Sequence, residues 1–82
     1  MSSSDWPVLH LRVTAEPEPG SLARILEKFQ ALNVLPRRIV AEWAAGTLKV
    51  QIDVGGLPED RLVLIAAKLG QSPSILNAYW HR

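Results

Sequence analysis

The chain is 82 residues long, 48% hydrophobic and free of cysteine, with nine Lys and Arg against eight Asp and Glu for a formal charge of +1. That is material for one domain with a core of its own; it excludes compositional disorder, disulfides and thiolate metal sites. The even charge balance argues against a dedicated nucleic-acid or membrane-surface binder. A domain of this size buries only about 60–65% of its unfolded surface, so self-association is the expected extra source of stability. No apolar run approaches ~18 residues, and the first seven residues have neither the basic nor the apolar region of an export signal, so a cytoplasmic location is expected. Residues 1–7 are expected to be a flexible N-terminus, with 8–82 as a single domain.

Residues 7–15 alternate. Leu9, Leu11 and Val13 take one face, and Val8, His10, Arg12 and Thr14 the other. Period two with one polar face reads as a strand covered on one side. Glu16 to Gly20, with two prolines, forms a turn. Leu22, Ile25, Leu26, Phe29 and Leu32 then follow the spacing of one helical stripe, with Arg24, Glu27, Lys28 and Gln30 on the wet side. Ser21 is the expected N-cap. Asn33 is expected to take the left-handed conformation that ends the helix.

Residues 34–43 read as a second strand. Pro36 near its start cannot donate to a ladder, which makes it an edge strand. Ile39, Ala41 and Trp43 are expected inward; Arg38, Val40 and Glu42 outward. Ala44-Ala45-Gly46 is a short hairpin turn into Thr47–Val54, where Leu48, Val50, Ile52 and Val54 face in and Lys49, Gln51 and Asp53 out. Gly55-Gly56 breaks the strand. Pro58, Glu59 and Asp60 suit a helix N-terminus, and Leu62, Ile65, Ala66 and Leu69 form its stripe, with Gly70 expected as the closing residue. A last strand at 74–80 should point Leu76, Ala78 and Trp80 in and Ile75, Asn77 and Tyr79 out.

This order predicts an α+β, ferredoxin-like βαββαβ fold: a four-stranded antiparallel sheet of order 4-1-3-2 with two helices on one face. The two proline-free alternating runs fill the central positions. The other two, which begin near Pro36 and Pro73, become edges.

No catalytic constellation is present. His10 and His81 lack the spacing of a metal pair and read as surface histidines, and no serine sits in a nucleophile elbow. No cofactor or metal is expected. Gly55-Gly56 lacks the pattern of a phosphate loop. Glu16 and Glu18 can bind an ammonium group or simply solvate a loop. Arg37 and Arg38 can hold a carboxylate or guard a strand edge. Gly20 stands where a helix N-terminus can receive an anion, and it is equally a common way to join strand to helix. RNA recognition on such a sheet uses aromatics on the central strands, and neither run has them.

The turn Glu18-Pro19-Gly20, the run Ser21-Leu22-Ala23-Arg24-Ile25 into Phe29, the junction Asn33-Val34 and the ending 75–79 together resemble an ACT domain over roughly residues 8–81. The sharp motif is Pro19-Gly20-Ser21-Leu22. Within the family the turn is most similar to the small regulatory subunits of acetolactate synthase. The resemblance implies a non-catalytic regulatory module that pairs with itself and binds a small amino acid, a large catalytic subunit, or both. It also implies a site: Gly20 with the amides of Ser21 and Leu22 for a carboxylate, beside Glu18, and Leu35, Pro36, Arg37 and Arg38 on the opposite wall. Valine-responsive subunits carry asparagines where this chain has Pro17 and Leu35. The alternative expectation is a ligand-free interaction subunit that docks through its sheet face or edge, with His10, Arg12, Val40, Lys49, Gln51 and Tyr79 on that face.

Overall fold

A computed structural model describes residues 8–82; the expectation for residues 1–7 lies outside the described residues. The elements are β1 (Leu9–Ala15), α1 (Pro19–Ala31), β2 (Arg38–Ala44), β3 (Thr47–Val54), α2 (Glu59–Gly70) and β4 (Ile75–His81). One antiparallel sheet has the order β2-β3-β1-β4, which is the expected ferredoxin-like arrangement.

The central pair fixes everything else. Leu9, Leu11 and Val13 stand opposite Val54, Ile52 and Val50, and all six are buried. Cross-strand partners share a face, so these rows form the floor of the core. Ile25 and Phe29 of α1 and Leu62, Ile65 and Leu69 of α2 close it from above.

Both helix ends of α1 can be read from local chemistry. At the C-terminus, Leu32 is the C-cap, and Asn33 follows at φ 57. Its N–H donates to the Gln30 carbonyl at 3.0 Å, and the Val34 N–H donates to Phe29 at 2.9 Å. This pair of bonds is the Schellman arrangement, which satisfies carbonyls the helix leaves free. At the N-terminus the structure corrects the sequence. Glu18 is the N-cap, without a side-chain capping bond, and Ser21 is the third helical residue and fully buried. Pro19 explains the shift, because a proline fits the first helical position at no loss of a hydrogen bond.

Three other boundaries move. β2 begins at Arg38, so 34–37 is a connection and Pro36 precedes the strand. Pro58 is the N-cap of α2, and Gly70 is its last helical residue, with Gln71 as a right-handed C-cap. In β4 the expected inward and outward sides reverse at the start: Ile75 is buried and Leu76 exposed. The cause is an irregularity in the β1–β4 ladder, where Thr14 faces Asn77 but Ala15 faces Ile75, leaving Leu76 unpaired. From Asn77 onward the alternation matches the expectation.

The β2–β3 hairpin turns on Ala45 and Gly46, at φ 54 and 78. Two central residues with positive φ are the signature of a type I′ turn, matched to strand twist. Glycine takes that conformation freely, whereas alanine is strained by roughly 1 kcal/mol or more. Ala45→Asn is expected to stabilise the domain by about 0.5–1 kcal/mol in urea unfolding, since asparagine tolerates this region. An unchanged or lower midpoint would mean that the turn is not strained.

Candidate functional site

The sequence-predicted site residues fall in two places: Glu18, Gly20, Ser21 and Leu22 at the start of α1, and Leu35, Pro36 and Arg37 in the connection before β2, with Arg38 the first residue of that strand. Gly20 is the second residue of α1, and its φ is not positive. Its role is therefore spatial. A Cβ there would meet only the Arg24 guanidinium, at 3.4 Å. Arg24 lies across Gly20, 3.6 Å from a Glu18 carboxylate oxygen, and donates to Ser74 Oγ at 3.4 Å. Both partners of the ion pair are about half exposed, so it contributes little to stability, but it covers the turn.

The turn offers fewer free donors to an anion than the sequence suggests. Pro19 has no N–H, and the Ser21 N–H donates to the Glu18 carbonyl at 3.1 Å. Ser21 Oγ is buried without a hydrogen-bond partner among the described residues. The Glu18 carboxylate adds negative charge at the same mouth. A carboxylate entering there would meet the Glu18 carboxylate together with the Arg24 guanidinium that pairs with it.

Beside the turn lies an open cleft of about 480 Å³ lined by Pro17, Glu18, Pro19, Leu22, Trp43 and Leu48. Its walls are apolar apart from Glu18. At the other end of β2 a second cleft, about 510 Å³, is lined mainly by Leu26, Phe29, Val34, Leu35, Pro36 and Ile39. Leu35 and Pro36 therefore lie far along the strand from Gly20 within one chain, at opposite ends of β2.

Between the two clefts runs a strip that the helices leave uncovered. Ile39, Ala41 and Trp43 stand opposite Ile52, Val50 and Leu48, so they face the helix side, as the sequence indicates. They are nonetheless exposed: Ile39 by 39% and Trp43 by 75%. Leu35 is 87% exposed. α2 packs chiefly on β4 and reaches β1, and the helix layer is thereby set away from β2. Periodicity assigns the face of a strand but not what lies above it, which is why this strip cannot be found from alternation alone. A tryptophan on an edge strand that begins near a proline is the one signal the sequence offers.

Arg37 and Arg38 part company. The Arg37 side chain lies over Gly55, where a Cβ would come within 2.6 Å of its Cδ, and its N–H donates to the Asp53 carbonyl at 2.7 Å. Arg38 is in register with Asp53 on the opposite, open face of the sheet.

That open face is polar. His10, Arg12, Lys49, Gln51, Asp53 and Tyr79 occupy it by register. His10 Nδ1 lies 2.7 Å from an Asp53 oxygen, and the His10 ring stacks on His81 with centroids 5.1 Å apart. The sequence places His10 on this face but does not show its contacts with Asp53 and His81; only the strand register brings positions 10, 53 and 81 together. Among the described residues, no group of three or more His, Cys, Asp or Glu side chains is placed to hold a metal. At the domain's end Arg82 pairs with Glu59, and that carboxylate raises the Arg82 pKa above its ordinary value. No helix among the described residues is long and apolar enough to cross a membrane.

A split βαβ sheet with one edge strand exposed on its helix side places the described residues among ferredoxin-like α+β domains. Residues 3–81 match the family model described as an ACT-like domain, and the chain belongs to that family. ACT domains are regulatory, ligand-binding modules rather than catalytic ones, found in enzymes of amino-acid metabolism. Solved structures agree in fold. The chain is similar to the ACT domain from GTP pyrophosphokinase of Chlorobium tepidum, with TM-score 0.78 and 16% identity over 93% of this chain and 99% of that one. A homoserine dehydrogenase from Thiobacillus denitrificans gives TM-score 0.79 and 16% identity over 98% of this chain and 18% of its own. A structure of aspartokinase alpha and beta subunits gives TM-score 0.74 and 15% identity over 96% of this chain and 50% of its own. No curated protein matches.

Because Gly20 is helical and its Cβ position opens on the far end of one flexible side chain, Gly20→Ala is expected to raise stability by about 0.5–1 kcal/mol, the usual gain for alanine over glycine in a helix. Chemical denaturation measures it. A loss of stability instead would show that the turn needs glycine for its own folding.

Proposed function

We infer that this chain is a non-catalytic regulatory ACT module that works as a homodimer and docks on a catalytic subunit of amino-acid metabolism. The turn at Glu18–Ile25, similar to that of acetolactate synthase small subunits, makes a synthase of that kind the candidate partner. The observation that carries the reading is the uncovered inner face of β2. An apolar strip on an unpaired strand edge is an invitation to strand pairing, and natural edges without such a role are blunted or covered.

The second reading makes a small amino acid the effector. Its carboxylate would rest on the Gly20, Ser21 and Leu22 amides beside Glu18, and its side chain against Leu35 and Pro36 of a second copy, near Arg37 and Arg38. The small side of Gly20 favours this reading. The engaged Ser21 amide, the Glu18 carboxylate and the overlying Arg24 favour the ligand-free form. We therefore place the weight on protein docking.

Sedimentation velocity at micromolar concentration is expected to show a dimer. Ile39→Asp should give a folded monomer, because Ile39 is already part-exposed in the single chain. A wild-type monomer at high micromolar concentration would overturn the homodimer. Thermal unfolding with each of the twenty amino acids at millimolar concentration is expected to show no shift. An effector at 100 times its Kd adds about 2.7 kcal/mol, several degrees for a domain this small, and such a shift would move the assignment to the second reading.

A further inference from the structure

We propose that His10 and His81 form a two-histidine site for a divalent ion of the Zn2+, Cu2+ and Ni2+ class on the open face of the sheet, with Asp53 and the Arg82 main chain orienting the two ligands. The site lies on the face given above to a partner. It rests on neither the dimer nor the docking, so its failure would leave that reading standing.

Strand pairing supplies what spacing along the chain does not. His10 of β1 stands directly opposite His81, the last residue of β4, and such cross-strand partners carry their Cβ atoms about 4.5–5.5 Å apart on one face. The two rings are stacked, with centroids 5.1 Å apart and planes inclined by 29°. Tyr79 continues the stack, 6.4 Å from His81. An ion held tetrahedrally by two imidazoles, at about 2.0–2.1 Å from each, needs their nitrogens roughly 3.3 Å apart. Rings that already stack reach this by turning about their side-chain torsions, with the backbone unmoved.

The hydrogen bonds decide which nitrogen each ring offers. His10 Nδ1 lies 2.7 Å from an Asp53 oxygen, and His81 Nδ1 lies 3.0 Å from the Arg82 main-chain oxygen. An ionised carboxylate and a main-chain oxygen only accept, so each Nδ1 carries a proton and each neutral ring keeps its lone pair on Nε2. A ring N–H held by a carboxylate or backbone oxygen is how metal-binding histidines are set: it fixes the tautomer, orients the ring and raises the basicity of the other nitrogen. Two adjacent histidines share that arrangement here, through different partners. Arg12 and Arg38 are the opposing cations on this face, and Asp53 stands in register between Arg38 and His10. The guanidinium of Arg82, next to His81, is taken up by Glu59. Among the described residues no third side chain completes a ligand set. The other coordination positions therefore belong to water, which makes the site open and exchangeable rather than structural.

The test uses the tag-free chain and the ion alone. Calorimetric titration with Zn2+ is expected to give one ion per chain. Cu2+ is expected to show hyperfine structure from two imidazole nitrogens in its electron paramagnetic resonance spectrum. Asp53→Asn keeps a hydrogen-bond acceptor but removes the charge, and should weaken Zn2+ binding roughly 10-fold, the low end for such an orienting partner. His10→Gln and His81→Gln should each weaken it more. Urea unfolding without metal checks that the variants fold. His81 is exposed at the end of β4, so His81→Gln keeps the test valid if His10→Gln does not fold. No heat with Zn2+ and no two-nitrogen copper spectrum overturns the site. Binding that survives removal of both histidines also overturns it, by placing the ion elsewhere on the chain. Binding lost with either histidine but indifferent to Asp53→Asn supports the metal pair and overturns the orienting role of Asp53.

Discussion

The register between β1 and β3 is the constraint on which the molecule depends. Leu11 opposite Ile52 and Val13 opposite Val50 put an apolar row on one face and His10, Arg12, Lys49 and Gln51 on the other. Side chains alternate with period two, so a slip of one residue would exchange these faces entirely. That exchange would bury arginine and lysine and expose the leucines. Once the pair is set, both helices have one place to go, and the sheet has one face left for other work.

The placement of the helices then creates the functional asymmetry. α2 lies over β4 and the neighbouring β1, and α1 packs beside it. β4, although an edge, has its inner side chains sheltered: Ile75 is buried and Ala78 and Trp80 are part of the packed layer. β2, the other edge, is covered far less, with Ile39 part-exposed and Trp43 mostly exposed. Its inner side chains match those of β3 in polarity but not in burial. The difference between two edges of one sheet is therefore decided by where the helices sit rather than by the strands themselves.

Fold and strand order were legible because alternation, prolines and glycines all point the same way, and agreement between levels is what specifies a fold. Asn33 could be read as a helix end because its chemistry is local. Ser21 was misread for an equally local reason: Pro19 draws the helix start forward, and proline's preference for the first turn outweighs serine's for the cap. Ile75 and Leu76 exchanged roles because the irregularity arises in pairing with β1, which no pattern within residues 74–80 records. The candidate site was half legible. Gly20 marks the turn, but the engaged Ser21 amide and the fold of Arg24 over the turn are tertiary facts. The contact of His10 with Asp53 and His81 likewise needs three strands in register.

On the proposed reading, self-pairing at the β2 edge and docking through the open sheet face use different surfaces of the domain. His10, Arg12, Gln51, Tyr79 and His81 lie on that face by register, and such a polar surface suits a regulated contact that must form and release. A module that binds its partner only as a dimer also gives regulation a second handle, because anything that shifts the pairing equilibrium shifts the docking with it.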